Sequence, residues 1–334
     1  MIQMRPMLAG FAAMIALGSV ALAAPPGDYS TQYNYVLKLP PVSSSYFALS
    51  TSFPSTVTTV VDGYPLAGRL FAAANHELSI QKNFGSAHWL TVATVEEGMD
   101  PSFLEVSPLG TQVAFGAGFF KPLYVFPPSR LSVTAPPNLS QLSGIMKVEA
   151  NYYDAVWLDE RYLLVNAGDF EAASFGSKVY AIDTQQSGDV AEEIQVIAHI
   201  PGASGGVAVD HFGNVITGIG YGSDPPTGQI KIFAKDDVLA ALGGTALEYE
   251  DDGFVVVESS LSAASLGVDA DKNPYVGGGD VFGGSGNFGR AELISAAVLA
   301  RALEGGDPAD PGVPGEITVI QPDPCHNDDS TSVQ

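Results

Sequence analysis

Gly206-Val-Ala-Val-Asp210-His-Phe-Gly-Asn214-Val-Ile-Thr217 and, later, Leu266-Gly-Val-Asp269-Ala-Asp-Lys-Asn273-Pro-Tyr-Val276 carry one pattern: an apolar strand, Asp, a tight turn, Asn, a second apolar strand. Looser copies read Val60-Val-Asp62, Val106-Ser107-Pro-Leu-Gly110-Thr-Gln-Val-Ala-Phe and Trp157-Leu-Asp159-Glu-Arg-Tyr-Leu-Leu-Val. Positions 62, 107, 159, 210 and 269 then stand as equivalent points, 45, 52, 51 and 59 residues apart. A period of this size marks a chain of stacked or radially arranged units, each unable to bury its apolar face alone. Ser107-Pro108-Leu109-Gly110 has Ser first, Pro second and Gly fourth, the preference of a type I turn, and Asp210 to Gly213 follows the same logic. The repeated Asp residues therefore read first as turn formers.

Working outward, each unit continues through a Gly-rich connection into a third strand: Leu123-Tyr-Val-Phe126, Lys178-Val-Tyr-Ala-Ile182, Gln229-Ile-Lys-Ile-Phe233 and Ala291-Glu-Leu-Ile294. Asp236 to Gly244 and Ala296 to Gly306 match in type as short helices stopped by glycines. Outer strands follow at Trp89-Leu-Thr-Val92, Ile194-Gln-Val-Ile197, Phe254-Val-Val-Val257 and Ile317-Thr-Val-Ile320. Four strands per unit describe a β-propeller blade, whose radial repetition leaves only short, protected edges. The expected fold class is an all-β propeller of four-stranded blades, six or seven in the complete protein, with five plus the start of a sixth in this chain. Tyr35 to Leu39 reads as an outer strand arriving ahead of its blade, within blades spanning 35–322. Residues 323–334 read as the start of a truncated further blade, the alternative being an acidic tail on a five-bladed ring.

Gly206 to Thr217 and Leu266 to Val276 resemble NHL-type blades of the kind also found in gluconolactonase-like propellers, in which apolar-Asp-x-x-Gly-Asn-apolar links the two inner strands. Segments 56–85 and 103–131 match loosely, and the remaining blade lacks the Gly-Asn pair. The resemblance implies an architecture; function has to be argued from a site.

The N-terminus, Met1 to Arg5 followed by an apolar run to Ala24 and then Pro25-Pro26, resembles a secretory signal peptide with a small-x-small site at Ala21-Leu22-Ala23. The expected division is a leader at 1–23, a linker at 24–34, and a secreted, extracellular or periplasmic mature chain with no transmembrane segment after cleavage. Losing Arg5 with the leader takes the formal charge from -23 to -24. Such a surface repels phosphate backbones, so no nucleic-acid partner is expected. Cys325 is the one cysteine, which rules out an intramolecular disulfide, a CxxCH haem attachment and a zinc site built from cysteines.

Three motifs suggest chemistry. Gly202-Ala-Ser204-Gly-Gly206 fits GxSxG, but it stands between two strands, whereas a nucleophile elbow needs a strand followed by a helix. Gly284 to Gly289 fits GxGxxG, but no parallel strand with a ribose-binding acid follows. Asp269, Asp271 and Asn273 place oxygen ligands at alternate positions, as calcium loops do, with Pro274 where an EF-hand has glycine and Asp280 at the twelfth place. A blade turn is the other reading. His326 to Asp329 is a second acidic candidate, or a solvated tail.

In a propeller, the loops between second and third strands and those leading into inner strands share one face around the axis, the default ligand site. That face should hold Asn75, His76, Glu77, Phe119, Lys121, Tyr153, Asp154, Asp169, Phe170, Glu171, Tyr221, Asp224, Asp280, Asn287 and Arg290. His76, Asp169, Tyr221 and Asp280 are singled out as ligand-binding, with Ca2+ the one cofactor named as a candidate, at Asp269, Asp271 and Asn273, and no catalytic residue assigned. The expected function is a binding module for an extracellular protein, glycan or small molecule. The alternative is a calcium-dependent lactonase or esterase, in which Asp169, Asp280 and Asn75 would converge. A quinone-dependent dehydrogenase ranks last, since it wants a basic cluster and a catalytic His, for which His76 and His199 are the candidates considered.

Overall fold

The computed structural model describes residues 48–322 except 85, 87, 97–100, 119–120, 150–151, 170–175, 186–192, 203–204, 221–227, 259–262, 264, 270–272 and 279–289. The leader at 1–23, the strand expected at Tyr35 to Leu39 and the segment 323–334 lie outside the described residues.

The chain is a β-propeller of five four-stranded antiparallel blades. Blade 1 holds β1 (Ala48–Ser52), a small hairpin of β2 (Val60–Val61) and β3 (Tyr64–Pro65), then β4 (Leu70–Ala74), β5 (Glu77–Gln81) and β6 (Trp89–Thr94). Blade 2 is β7 (Phe103–Val106), β8 (Val113–Gly116), β9 (Pro122–Phe126) and β10 (Met146–Glu149). Blade 3 is β11 (Tyr152–Trp157), β12 (Tyr162–Asp169), β13 (Gly176–Asp183) and β14 (Glu193–Pro201). Blade 4 runs β15 (Val207–Val209), β16 (Val215–Gly218), β17 (Ile230–Phe233), helix α1 (Lys235–Ala241), β18 (Leu247–Glu248) and outer strand β19 (Phe254–Val257). Blade 5 is β20 (Ser265–Val268), β21 (Pro274–Gly278), β22 (Arg290–Ile294), helix α2 (Ala296–Leu303) and β23 (Ile317–Pro322). The short β18 leaves blade 4 and pairs in parallel with β14, tying blades 3 and 4 at their rim.

Consecutive apolar positions in these strands follow from burial on both faces. On blade 2, Leu104, Val113, Phe115, Tyr124 and Phe126 pack against blade 1. Their alternate neighbours Phe103, Ala114, Leu123 and Val125 pack against Tyr152, Ala155, Trp157 and Leu163 of blade 3. Period-two alternation here separates two cores, where in a half-exposed sheet it would separate core from solvent. Two further clusters fill the spaces between blades 3 and 4 and between blades 4 and 5.

The repeat turns are locked by the residues that make them visible in the sequence. Asp210 accepts the N–H groups of Phe212 at 2.8 Å and Asn214 at 2.9 Å, and the Asn214 side-chain amide at 2.8 Å. Asp269 takes the N–H of Asn273 at 2.8 Å and its side-chain amide at 3.1 Å. Ser107 and Asp159 hold their turns in the same way. Position 62 is a correction. Asp62 (φ 47°) and Gly63 (φ 88°) form the two-residue turn of the β2–β3 hairpin, within the connection from β1 to β4. The Asp-Gly pair suits both residues to positive φ, the requirement of a tight hairpin turn, so this Asp does not follow an inner strand. The inner strand of blade 1 is β1 instead.

Candidate functional site

The two ends of the propeller differ. At one end, in blades 2 to 5, the turns joining first and second strands are four to six residues long: 107–112, 158–161, 210–214 and 269–273. Adjacent turns are stitched together there: Glu160 accepts bonds from Ser107 Oγ at 3.0 Å and from the Leu109 N–H, and His211 Nε2 lies 3.0 Å from the Asp269 carbonyl oxygen. At the other end the connections from second to third strand range from two residues, 75–76, to eleven, 219–229 and 279–289.

Of the residues singled out in the sequence, His76 sits partly exposed in the two-residue turn between β4 and β5, behind Asn75 at φ 53°. Asp169 is the last residue of β12, its backbone paired with Gly176 at the mouth of the next connection. Both belong to the loop end, as expected. Tyr221 and Asp280 lie outside the described residues, as do Phe119, Phe170, Glu171, Asp224 and Asn287. Asp269 and Asn273 are at the opposite, turn end, where they are bonded to each other and Asn273 Oδ1 also accepts the N–H of Ala296 at 3.0 Å. Asp271 lies outside the described residues. Among the described residues no three or more His, Cys, Asp or Glu side chains are grouped to hold a metal ion. Among them, too, no helix is long and apolar enough to cross a membrane.

The structure brings forward a different group near the axis. Asp154, at the start of inner strand β11, is only 7% exposed. Its carboxylate accepts the N–H of Ala155 at 3.0 Å, that of Val207 on β15 at 2.9 Å, and that of Leu266 on β20. Inner strands present an unpaired edge to the axis, and buried N–H groups need acceptors. One carboxylate thus serves blades 3, 4 and 5. Burial pushes its pKa up to about 7, against the pull of those backbone donors.

Glu105 on β7 is pushed well above the ordinary carboxylate range, by burial first and then by the charge of Asp154, although solvent still reaches part of the residue. Tyr275 on β21 crosses Gly267 of β20, where a Cβ would stand 2.4 Å from the phenol oxygen. Its hydroxyl is pushed up to about 12 by burial, and by the charges of Glu105, Asp154 and Asp269. Directly opposite Asp154 in the register is Asn166, fully buried, whose side-chain oxygen and nitrogen make no hydrogen bond among the described residues. Nearby on the same blade, Ser177 is equally buried, its hydroxyl without a partner among the described residues.

Asp154 stood among the loop-end residues expected from the repeat; Glu105, Asn166 and Tyr275 did not. The available signal was a lone acid inside an apolar inner strand, Phe103-Leu-Glu105-Val and Tyr153-Asp154-Ala-Val. Chemically, burial holds both carboxyls above their ordinary range. Asp154 itself is committed to backbone donors and is not poised as a nucleophile or a free metal ligand.

No known protein family matches the chain, and no curated protein is similar to it in sequence. In three dimensions it is similar to a chain of the Kuenenia stuttgartiensis hydrazine synthase, at 15% identity over 70% of this chain and 81% of that one, with a TM-score of 0.40. It is similar also to a Xanthomonas campestris gluconolactonase, at 10% identity over 69% and 70% of the two chains, TM-score 0.42. A chain of the mitotic checkpoint complex matches at 13% identity over 82% and 84%, TM-score 0.44.

Proposed function

We propose that this chain is an exported β-propeller, secreted or held in the cell envelope, that binds an extracellular partner through its loop end without catalysing a reaction. The supporting observation is the asymmetry between the two ends. Turns of near-constant length, clamped by Asp, Ser and Asn, form a scaffold on one side, while the connections that vary from two to eleven residues gather on the other. Loops of variable length on a rigid frame are where recognition concentrates. The net charge of -23 favours a neutral or cationic protein, glycan or small molecule over a nucleic acid. Export rests on the leader-like residues 1–23, and fusing them to a reporter enzyme tests it: the reporter should be found outside the cytoplasm.

Binding is tested by probing glycan and peptide arrays with residues 24–334. Saturable capture of one chemical class supports the reading, and no capture on either array counts against it. The second reading, a calcium-dependent lactonase or esterase, is motivated by the resemblance of the two Asp-turn blades, and it would need Asn75, Asp169 and Asp280 to converge on the ion. A rise in melting temperature with millimolar calcium, together with lactone or ester turnover, would favour it over binding alone.

A further inference from the structure

Asp154, Asn166 and Ser177 form a diagonal row on the face of blade 3 that is turned to blade 4. Asn166 stands opposite Asp154 on one side and opposite Val179 on the other, and Ser177 is two residues from Val179 along β13. The apolar side chains sharing that face, Leu164, Val179 and Ala181, belong to the cluster that fills the space between the two blades. Asp154 is satisfied there by backbone N–H groups. Asn166 and Ser177 are both 0% exposed, and neither atom of the Asn166 amide nor the Ser177 hydroxyl has a hydrogen-bond partner among the described residues. A buried polar group left unpaired carries its full desolvation penalty, and here three such atoms lie on one face within one ladder diagonal.

Diagonal neighbours in an antiparallel ladder lie about 7–8 Å apart, their Cβ atoms somewhat closer, so a single water between the two side chains reaches both. Gly168, opposite Ser177 and two residues from Asn166 on β12, brings no side chain into that place. Across the interface, the point where a Cβ on Gly205 would stand is 3.2 Å from Asn166 Nδ2 and 2.3 Å from the Gly218 carbonyl oxygen. Those two atoms are therefore at most about 5.5 Å apart, also within the span of one bridging water. A buried water makes about three hydrogen bonds. The amide offers a donor and an acceptor, the hydroxyl can act as either, and the carbonyl is an acceptor. All three groups are neutral, which suits water better than an ion.

We infer that an ordered water is bound in the seam between blades 3 and 4, held by the Asn166 amide, the Ser177 hydroxyl and the Gly218 carbonyl. Ser177 follows Gly176 at the mouth of the β12–β13 connection, and Gly205 lies two residues ahead of β15. The water thus fastens the start of one variable connection to the segment that leads into the next inner strand. This site belongs to the frame beneath the loop end and stands whatever those loops bind.

The test combines urea midpoints of the full chain for wild type, Ser177→Ala, Asn166→Leu and the double variant with oxygen-17 relaxation dispersion, which counts long-lived waters. Ser177→Ala takes one partner from the water and should lower the midpoint by on the order of 0.3 M. Asn166→Leu expels the water, and in that background Ser177→Ala removes a stranded hydroxyl and should raise the midpoint. The dispersion should lose a long-lived water in Asn166→Leu. If that variant fails to fold, the Overhauser cross-peak between water and the Asn166 side-chain amide in wild type decides: its presence supports the site and its absence overturns it. A midpoint that rises in Ser177→Ala alone overturns the proposal, because the hydroxyl is then bare. So does a midpoint that falls while the count of long-lived waters is the same in wild type and Asn166→Leu, which would make a protein group the partner.

Discussion

Asn214 Oδ1 accepts the backbone N–H of Lys235 at 3.0 Å, so the side chain that closes the turn of blade 4 also serves the first residue of helix α1. Ala234 at the head of that helix provides no side-chain cap, and Asn214 does its work from 21 residues away. Asn273 repeats the bond to Ala296 at 3.0 Å, but there Ser295 also caps helix α2 through the N–H of Ala297. Asn214→Ala should therefore cost about 1–2 kcal/mol and Asn273→Ala about 0.5 kcal/mol, read from urea midpoints. Equal losses would show that the helix bond is not what distinguishes them.

Lys231 is 6% exposed, and its ammonium donates to the carbonyls of Tyr249 at 2.5 Å, Glu250 at 3.1 Å and Asp252 at 3.2 Å. Burial lowers its pKa, while the acids of the 250–252 loop and Glu258 oppose that shift. Lys231→Met keeps the aliphatic stem and strands three carbonyls, and should lower stability by about 2–3 kcal/mol in equilibrium unfolding. A neutral outcome would mean that the loop re-forms around water.

Gly267 and Tyr275 are paired across β20 and β21, and a Cβ on Gly267 would lie 2.4 Å from the ring of its partner. Gly267→Ala should destabilise by about 1–3 kcal/mol through overpacking. The penalty should largely vanish when Tyr275→Ala is introduced alongside it. A double-mutant cycle showing plain additivity would refute the contact.

Stability should pass through a maximum between about pH 4 and pH 5. On the acid side, Asp62 is held down to about 2 by the N–H groups of Thr134 and Val133 and the hydroxyls of Ser132 and Thr134. Glu316 is held down to about 2 by Arg301 first and then by the N–H of Asp310. Groups whose pKa is lowered by folding contribute above their ordinary range, and the contribution is lost as pH falls from about 4 toward 2. Asp154, raised to about 7, has the opposite sign: its contribution is complete below about pH 4 and is lost as pH rises toward 7. Asp62→Asn should flatten only the acid limb of a midpoint-versus-pH curve; an altered neutral limb would assign the groups wrongly.

Much of the fold was legible because turn chemistry is local. Asp210, Gly213 and Asn214 state their own geometry, and the third strands, the outer strands of blades 1, 3, 4 and 5 and both helices fell where the repeat put them. Blade 1 misled because Asp62-Gly63 is a sound turn signal belonging to an inserted hairpin, and nothing local separates an inserted turn from a blade turn. The outer strand of blade 2, β10, stood beyond an excursion through Pro128–Arg130 and Leu139–Gln141 that breaks the period. The axial carboxyls were least legible, because their environment is made by three other blades. Asp154 meets Val207 and Leu266 only when strands distant in sequence are brought around one axis.

The division between scaffold and recognition end is tested most directly by measuring stability and array capture side by side in two variants. One is Asn214→Ala, and the other replaces residues 221–227 with a Gly-Ser segment of equal length. The account predicts that Asn214→Ala lowers the urea midpoint and leaves capture intact, while the loop replacement abolishes capture and leaves the midpoint unchanged. Capture lost in Asn214→Ala under conditions where it is folded, and retained after loop replacement, would contradict it.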